Sequence, residues 1–146
     1  MTTIIGTRQG IYSDSQVTTG ALPYLAEKII IIDRTVIGCS GDCTAIEKFL
    51  VWYADPDNVD DPEYDEFEDF AALTLNENGL FFWCAAFGPD KVIGKSMSIG
   101  SGSMVADTAM HLGKTPEEAV KIACKLDMYS SLPVQTQLLH KGKKKK

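Results

Sequence analysis

Long apolar runs are missing from this sequence. No stretch of about 18 consecutive apolar residues occurs in it, so we predict no membrane-spanning helix. The opening residues, MTTIIGTRQG, also lack the basic stretch and apolar block of a secretory signal, and we therefore expect the protein in the cytoplasm. With 45% hydrophobic and 23% charged residues among 146, we expect one globular domain over residues 1–139.

Side chains that bind metals are also scarce. The sequence contains only two histidines, His111 and His140, and four cysteines. Cys39 and Cys43 are close in sequence, but neither histidine lies near them, so we predict no metal site. Cysteines of cytoplasmic proteins are typically buried, reduced thiols, and we expect the same of all four.

Acidic and basic residues are unevenly distributed around a net charge of −6. Residues 55–69 are rich in Asp and Glu and contain no base, whereas residues 140–146 read HKGKKKK. An acidic body argues against a nucleic-acid-binding face. We interpret residues 140–146 as a solvated, flexible basic tail.

Hydrophobic patterning predicts runs of strands that are separate from runs of helices. The predicted strands are residues 3–8, 10–14, 27–33, 36–39, 71–75, 80–87, 92–99 and 133–139, with a polar loop over 15–23. The predicted helices are residues 43–54, 102–112 and one that begins at Pro116 behind a Thr115 cap. Segregated runs of this kind favour an α+β fold with layered antiparallel sheets.

The second residue, Thr2, could carry chemistry of its own. If Met1 is removed, Thr2 presents a hydroxyl and a free α-amine on one residue. An α-amine has a pKa near 8, so it can accept the hydroxyl proton close to neutrality. Taken alone, a start of this kind is a weak signal that indicates an ordinary first strand, because many proteins begin with Met-Thr.

Five short motifs, spread in order over most of the chain, resemble the proteasome β subunit and HslV family of N-terminal-nucleophile (Ntn) threonine peptidases. The motifs are TTIIGTRQGIYSDSQVTTG at the start, an isolated lysine before an apolar strand, IGCSGDCTA, SIGSGS and LDMYSS. The resemblance implies a four-layer αββα sandwich. The family's second long helix is replaced here by the acidic segment, which implies a shortened helical layer. We expect the exposed sheet to be covered either by a neighbouring subunit or by aromatic residues, namely Trp52, Phe67, Phe70 and residues 81–83.

The resemblance assigns the reacting groups. Thr2 would be the nucleophile, and Lys28, held ionised by Asp14, would lower the pKa of the Thr2 hydroxyl. Gly41 would donate its backbone N–H to the developing oxyanion. Without the resemblance, Asp14 and Lys28 could equally be a surface ion pair.

Three further residues are assigned by the resemblance to the surroundings of the Thr2 amine. Ser101, Asp127 and Ser130 would form a hydrogen-bonded group that orients the amine and adjusts its basicity. The alternative is that these residues only cap turns and helices.

Three residues are expected to contact substrate. By the same resemblance, Thr18 would bind an extended peptide through its backbone, as a strand added beside the cleft. Val17 and Cys39 would line the pocket for the side chain that precedes the cut, and their small apolar side chains suggest a medium-sized apolar residue there.

The implied function is a threonine-type endopeptidase that hydrolyses peptide bonds through an acyl-enzyme on Thr2. The resemblance also implies a homo-oligomeric ring, peptides or unfolded proteins as substrates, and an ATP-dependent unfoldase as candidate partner. No metal or organic cofactor is required. Two alternatives stay open, namely a catalytically silent assembly subunit with the same fold and a small-molecule amidase.

Overall fold

A computed structural model of the chain describes residues 2–19, 21–57, 69–85 and 88–140. Within these ranges it contains eleven strands and three helices. The strands are β1 (Ile4–Thr7), β2 (Gly10–Ser13), β3 (Gln16–Thr19), β4 (Leu22–Leu25), β5 (Ile29–Ile32), β6 (Thr35–Gly41), β7 (Phe70–Asn76), β8 (Gly79–Cys84), β9 (Asp90–Lys91), β10 (Ser96–Ile99) and β11 (Gln135–Leu138). The helices are α1 (Cys43–Ala54), α2 (Ser103–His111) and α3 (Pro116–Leu126).

Two antiparallel sheets form the centre of the fold. The first has the strand order β10-β1-β2-β11, and the second has the order β5-β6-β7-β8-β9. Strands β3 and β4 form a separate hairpin. The first sheet therefore joins the two ends of the described chain, because β11 pairs with β2.

Neighbouring residues on one strand belong to different cores. Ile4 belongs to the core between the two sheets, whereas Ile5 belongs to the core between the first sheet and the helices α2 and α3. Val36 and Ile37 differ in the same way, since Ile37 packs beneath α1. Successive side chains of a strand point to opposite faces, so consecutive apolar residues indicate sheets that are buried on both faces.

The helices cover the outer faces of the two sheets. Helices α2 and α3 contact β1, while α1 contacts β6 of the second sheet. The order of layers is therefore two helices, sheet, sheet and one described helix. This arrangement confirms the predicted α+β fold and the four-layer αββα sandwich, with a single helix among the described residues in the layer that we expected to be shortened.

Aromatic rings pack around α1 on the outer face of the second sheet. Phe49 is fully buried there, and its ring centroid lies 5.0 Å from that of Phe70 and 5.3 Å from that of Trp83. Trp52 and Tyr53 belong to the same cluster. This cluster occupies the sheet face on which we expected aromatic cover. Phe67 lies outside the described residues.

Two predicted segments have a different structure. The expected strand over residues 92–99 is confirmed only for Ser96–Ile99, which form β10 and pair with β1 in the first sheet, whereas residues 92–95 lie between β9 of the second sheet and β10. The intervening residues carry the chain from one sheet to the other. The expected polar loop over residues 15–23 is also wrong, because residues 16–25 include the paired strands β3 and β4.

Several predicted boundaries and burial patterns also change. The expected strand 27–33 begins only at Ile29, and the expected strand 80–87 is described as far as Cys84, while residues 86 and 87 lie outside the described residues. Cys39, Cys84 and Cys124 are half-buried rather than buried, and Cys43 is exposed, because it occupies the first turn of α1. None of the three described helices is long and apolar enough to cross a membrane. Of the predicted tail, residues 141–146 lie outside the described residues.

Candidate active site

The hairpin of β1 and β2 brings Thr2 beside Asp14. Residues Ile4 and Ser13 are paired across the hairpin, and the Asp14 N–H donates to the Thr3 carbonyl oxygen at 3.1 Å. The Thr2 hydroxyl in turn donates a short hydrogen bond to Asp14 Oδ1. Thr2 is only 2% exposed, so its hydroxyl is held in a buried position by the register of the first two strands.

The carboxylate of Asp14 is buried and surrounded by donors. Its Oδ1 accepts from the Thr3 N–H at 3.0 Å, and its Oδ2 accepts from the N–H groups of Gln16 at 3.0 Å and Ser131 at 3.1 Å. Asp14 is fully buried. Hydrogen bonds of this kind compensate a buried charge for its lost hydration. The sequence therefore provides a fixed anion beneath Thr2.

Lys28, which directly precedes β5 of the second sheet, completes the arrangement. Its ammonium donates to Asp14 Oδ1 at 2.8 Å and makes a short hydrogen bond to Thr2 Oγ1. The side chain is 7% exposed. Burial lowers the pKa of Lys28 below its usual value, and the negative charge of Asp14 opposes that shift. The Thr2 hydroxyl oxygen is thus in direct contact with both members of a buried ion pair.

Gln135 anchors the backbone of Lys28, a role that the sequence analysis did not suggest. Gln135 Oε1 accepts from the Lys28 N–H at 2.8 Å, while Gln135 Nε2 donates to the Ala26 carbonyl at 2.7 Å and to Ser15 Oγ at 2.8 Å. Residues 26–28 lie outside the strands, so the side-chain hydrogen bonds of Gln135 hold the backbone there in place of strand pairing. No local pattern could have identified Gln135, because it is more than 100 residues away from Lys28 in sequence and only the fold brings the two together.

Gly41 lies at the end of β6, directly before the α1 cap. Its φ is +119°, and a Cβ atom added there would lie 2.1 Å from the Asp69 carbonyl oxygen. Only glycine fits such a backbone. Asp42 caps α1 by accepting from the Thr44 N–H at 2.8 Å. Gly41 and the beginning of α1 therefore border the same cleft as Thr2.

Ser101, Asp127 and Ser130 form one hydrogen-bonded cluster. Both serine hydroxyls donate to Asp127 Oδ2, at 2.7 Å from Ser101 and 2.6 Å from Ser130. The cluster meets the N-terminal segment at two points, because Ser101 Oγ lies 3.4 Å from the Thr2 carbonyl oxygen and Ser130 Oγ lies 2.7 Å from Thr3 Oγ1. Orientation of the Thr2 amine by this cluster stays a prediction.

Gly100 brings the turn before α2 against Thr2. Its φ is +95°, and an added Cβ would lie 2.0 Å from the Thr2 carbonyl oxygen. Gly102 donates its N–H to the same Thr2 carbonyl oxygen at 3.2 Å. The SIGSGS segment thus contacts Thr2 mainly through its backbone, which requires the absence of a side chain at position 100.

Thr2 and Lys28 open into an apolar cleft of about 400 Å³. The cleft lies between the β3–β4 hairpin, the second sheet and α1. Its other lining residues are Gln16, Val17, Thr18, Tyr24, Ala26, Glu27, Ile30, Ile37, Cys39, Ser40, Gly41, Cys43, Ile46, Glu47, Leu50 and Val51. All three predicted substrate-contacting residues, Val17, Thr18 and Cys39, are thereby placed on its walls.

The cysteines of the cleft differ in exposure. Burial raises the pKa of the Cys39 thiol to about 12, which keeps that thiol protonated near neutrality. Cys43 is exposed at the first position of α1. Among the described parts of the chain, no group of three or more His, Cys, Asp or Glu side chains could hold a metal ion.

A larger, open concavity of about 1480 Å³ lies elsewhere on the molecule. It is bordered by the β5–β6 turn, the β7–β8 turn and the end of the described chain, including Arg34, Asn78 and His140. None of the predicted site residues lines it. The smaller cleft, which contains the contacts of Thr2 with Lys28, is therefore the candidate active site.

Solved structures share this fold. BPH of Thiobacillus denitrificans is 20% identical, with 95% of this chain and 97% of that chain covered and a TM-score of 0.74. The same protein in complex with epoxomicin gives 20% identity, 96% and 99% coverage and a TM-score of 0.72. Eukaryotic HslV from Trypanosoma brucei gives 20% identity, 95% and 99% coverage and a TM-score of 0.71.

These structures establish the fold over nearly the whole chain. The chain has the fold of these BPH and HslV structures, which is the fold that the five sequence motifs predicted. No family model and no curated protein matches the sequence.

Proposed function

We propose that this chain is a threonine-type endopeptidase in which Thr2 is the first residue of the mature chain and the nucleophile. One observation carries the proposal. The buried Thr2 hydroxyl contacts both Asp14 and Lys28 at the base of an apolar cleft. A hydroxyl that served only to fill a first strand would need neither a buried cation nor an opening to a cleft.

The ion pair would activate the hydroxyl electrostatically. A cation beside Thr2 Oγ1 stabilises developing negative charge on that oxygen and lowers its pKa. Lys28 would supply the cation, and Asp14 would hold it in place through the 2.8 Å hydrogen bond. The α-amine of Thr2, with an ordinary pKa of about 8, would accept the hydroxyl proton as the Oγ–carbon bond forms.

Collapse of the resulting tetrahedral intermediate would cleave the peptide bond. The ammonium of Thr2 would return its proton to the leaving amine as the carbon–nitrogen bond breaks, which leaves an ester on Thr2. Water would then attack the ester, give its proton to the same amine, and release the acid and the free hydroxyl. This is nucleophilic catalysis with the base on the nucleophile's own residue.

Gly41 would stabilise the oxyanion of both tetrahedral intermediates. Its backbone borders the cleft that contains Thr2, and α1 begins two residues later. The N-terminal end of a helix carries partial positive charge. An N–H donor from Gly41 and this end of α1 would therefore act on the same developing charge.

The peptide would bind in the cleft as an extended segment. Thr18 on β3 would hydrogen-bond it through backbone groups, as an added strand does. Val17 and Cys39, both on the cleft wall, would contact the side chain that precedes the cut. The Cys39 thiol, protonated because its pKa is raised, would act there as an apolar group.

Oligomeric assembly is part of the proposal. Strand β4 is exposed at all four residues, with Leu22 72% and Leu25 61% exposed. Exposed apolar residues of this kind are typical of interaction surfaces, and the fold is shared with HslV. We therefore propose a homo-oligomeric ring that degrades peptides or unfolded proteins, with an ATP-dependent unfoldase as partner. Native mass measurement would return the monomer mass if no ring forms.

Intact mass with an epoxyketone probe tests the nucleophile. We choose this probe because epoxomicin is bound in one of the similar structures. The expected result is a mass that begins at Thr2, together with a single adduct that Thr2→Ala abolishes and Thr2→Ser retains. A chain that keeps residue 1 and forms no adduct would overturn the proposal in favour of an assembly subunit. An adduct without cleavage of any peptide would favour an amidase.

A further inference from the structure

Ser40 is a buried serine of the cleft whose hydroxyl has no hydrogen-bond partner in the described part of the chain. It is 8% exposed and lines the same cleft as Thr2. The other buried serines differ, because the hydroxyls of Ser13 and Ser15 donate to backbone carbonyls and that of Ser130 donates to Asp127. Burial of a hydroxyl without a partner costs free energy. Ser40 therefore holds a donor that an acceptor from a bound molecule can use.

The pleat of β6 points the Ser40 side chain toward the first sheet. A Cβ atom added at Gly38 would lie 2.9 Å from Ile4 Cγ2, and Ile4 belongs to the core between the two sheets. Side chains two residues apart on a strand share a face, so Ser40 faces the first sheet as Gly38 does. Cys39, between them, packs on the opposite face with α1. The Ser40 hydroxyl is therefore separate from the Cys39 wall that would contact the side chain before the cut.

The reacting oxygen of Thr2 lies beside the same strand pair. The Thr2 hydroxyl contacts Lys28, which directly precedes β5, and β5 pairs with β6. Ser40 directly precedes Gly41, whose backbone N–H is the donor of the proposed mechanism. Only the Cβ, Cα and carbonyl carbon of a serine separate its hydroxyl from the next N–H. Both donors can therefore converge on one oxygen atom.

We propose that the Ser40 hydroxyl is a second donor to the oxyanion, beside the N–H of Gly41. The inference rests on the proposed function and adds a catalytic residue to it. The oxygen becomes negatively charged in both tetrahedral intermediates, and hydrogen bonds to charged oxygen are about twice as strong as neutral ones. Ser40 would thus stabilise the transition states more than the bound peptide. It transfers no proton, because its hydrogen stays on Oγ throughout.

Ser40→Ala should lower kcat and leave KM little changed. A hydrogen bond to a charged group contributes about 10-fold to 100-fold, so kcat for a fluorogenic peptide should fall by that factor. A peptide aldehyde adds the Thr2 hydroxyl to its carbonyl carbon and forms a hemiacetal, whose oxygen occupies the oxyanion position. Its inhibition constant should increase by the same factor, because it resembles the intermediate rather than the substrate.

A second substitution at the same position tests the donor with the polar atom kept. Ser40→Cys retains a side chain of similar shape, but a thiol is only a weak hydrogen-bond donor. We expect its kcat to lie between that of Ser40→Ala and that of the unmodified protein. A Ser40→Cys variant with a lower kcat than Ser40→Ala would indicate that packing, not hydrogen bonding, determines the rate.

Thermodynamic stability separates the catalytic role from a structural one. Ser40→Ala removes a buried hydroxyl that has no partner within the described ranges, so its free energy of unfolding should be unchanged or higher. Thr35→Val is the matched control, because Thr35 is also buried, has no described hydrogen-bond partner and does not line the cleft. It begins the same strand, about 16 Å from Ser40 at the usual rise of a strand. Thr35→Val should keep its kcat and its aldehyde affinity.

The outcomes separate this inference from the proposed function. If the unmodified protein forms the Thr2 adduct and cleaves peptides, but Ser40→Ala keeps its kcat and its aldehyde affinity, Ser40 is no oxyanion donor and the peptidase stands. If Ser40→Ala loses stability together with activity, or Thr35→Val loses as much activity, the hydroxyl is structural and the inference is wrong. If the unmodified protein gives neither an adduct nor cleavage, the proposed function fails and the inference with it.

Discussion

Lys28 donates a hydrogen bond to Asp14 at 2.8 Å. Lys28 directly precedes β5 of the second sheet, and Asp14 directly follows β2 of the first. The pair links the two central sheets at the point where the Thr2 hydroxyl lies. Burial lowers the pKa of the lysine while the carboxylate opposes that change. The predictions below follow from this contact and from the residues that hold it in place.

Replacement of Lys28 by Met tests the cation directly. Met keeps much of the side-chain length but removes the charge beside the Thr2 hydroxyl. We expect turnover to fall by about 100-fold or more, as is typical when one electrostatic donor is lost from an active site. Epoxyketone labelling should slow in parallel, and circular dichroism should show whether the fold is kept. Turnover equal to that of the unmodified protein in a folded Lys28→Met variant would refute the role of the lysine.

Stability should depend on pH through the same residue. The pKa of Lys28 is lower in the folded chain than its ordinary value of 10.5, so between these two values the unfolded chain binds more protons. Stability from this residue therefore increases as the pH rises through that window, and it is lost as the pH falls through the folded-state pKa. Chemical denaturation of the unmodified protein and Lys28→Met from pH 7 to 10.5 would measure the difference. The unfolding free energy of the unmodified protein minus that of Lys28→Met should increase as the pH rises. A value that decreases or stays constant would contradict the lowered pKa of Lys28.

Gln135 should act as a positioning residue for Lys28. Gln135→Ala removes the acceptor of the Lys28 N–H and both donors to residues 15 and 26. We expect kcat to fall by about tenfold with KM little changed, because a lysine that has lost its backbone anchor is displaced from the Thr2 hydroxyl, and small displacements of active-site groups slow the reaction. Gln135→Glu keeps the acceptor and adds negative charge near Lys28, which should raise the pKa of the lysine and move the alkaline limb of the pH–rate profile upward.

Thr136→Val provides the control for Gln135. Thr136 is the next residue on β11, is exposed, and does not line the cleft. Its kinetic constants should match those of the unmodified protein. Equal losses in Thr136→Val and Gln135→Ala would indicate that β11 contributes only to folding.

Gly100 should be required for the placement of Thr2. Gly100→Ala would bring a Cβ within 2.0 Å of the Thr2 carbonyl oxygen, at a φ of +95°. Gly113 offers a matched comparison, since its φ is +90° and an added Cβ meets nothing within 4 Å. Both variants should lose about 1–2 kcal/mol to backbone strain, but only Gly100→Ala should also lose adduct formation and turnover. Full activity of Gly100→Ala would show that Thr2 tolerates displacement.

Much of the site could be predicted from short motifs. Thr2, Asp14 and Lys28 are far apart in sequence. The β1–β2 register and the position of β5 bring them together, as the motifs predicted. The glycine at position 41 is required for a physical reason, because the backbone conformation of Gly41 excludes a side chain. Gln135 could not be predicted, since an amide on an ordinary strand shows no local signal of the three bonds it makes.

The wrong structural predictions have a common cause. The segments over residues 15–23 and 92–99 were interpreted from local composition, whereas strand pairing decides their structure. Pro23 and polar neighbours suggested a loop, but β3 and β4 pair with each other. The apolar pattern of residues 92–99 suggested one strand, but only Ser96–Ile99 form one, in the first sheet, after residues 92–95 have left the second sheet. Pairing choices of this kind depend on the completed fold.

The central claim is that Thr2, with a free amine, is the reacting group. The most direct measurement is tandem mass spectrometry of the N-terminal peptide after treatment with the epoxyketone. The account predicts a peptide whose first residue is Thr2, with the probe attached to that residue. A peptide that retains residue 1, or a probe found instead on the exposed Cys43 of the same cleft, would contradict it.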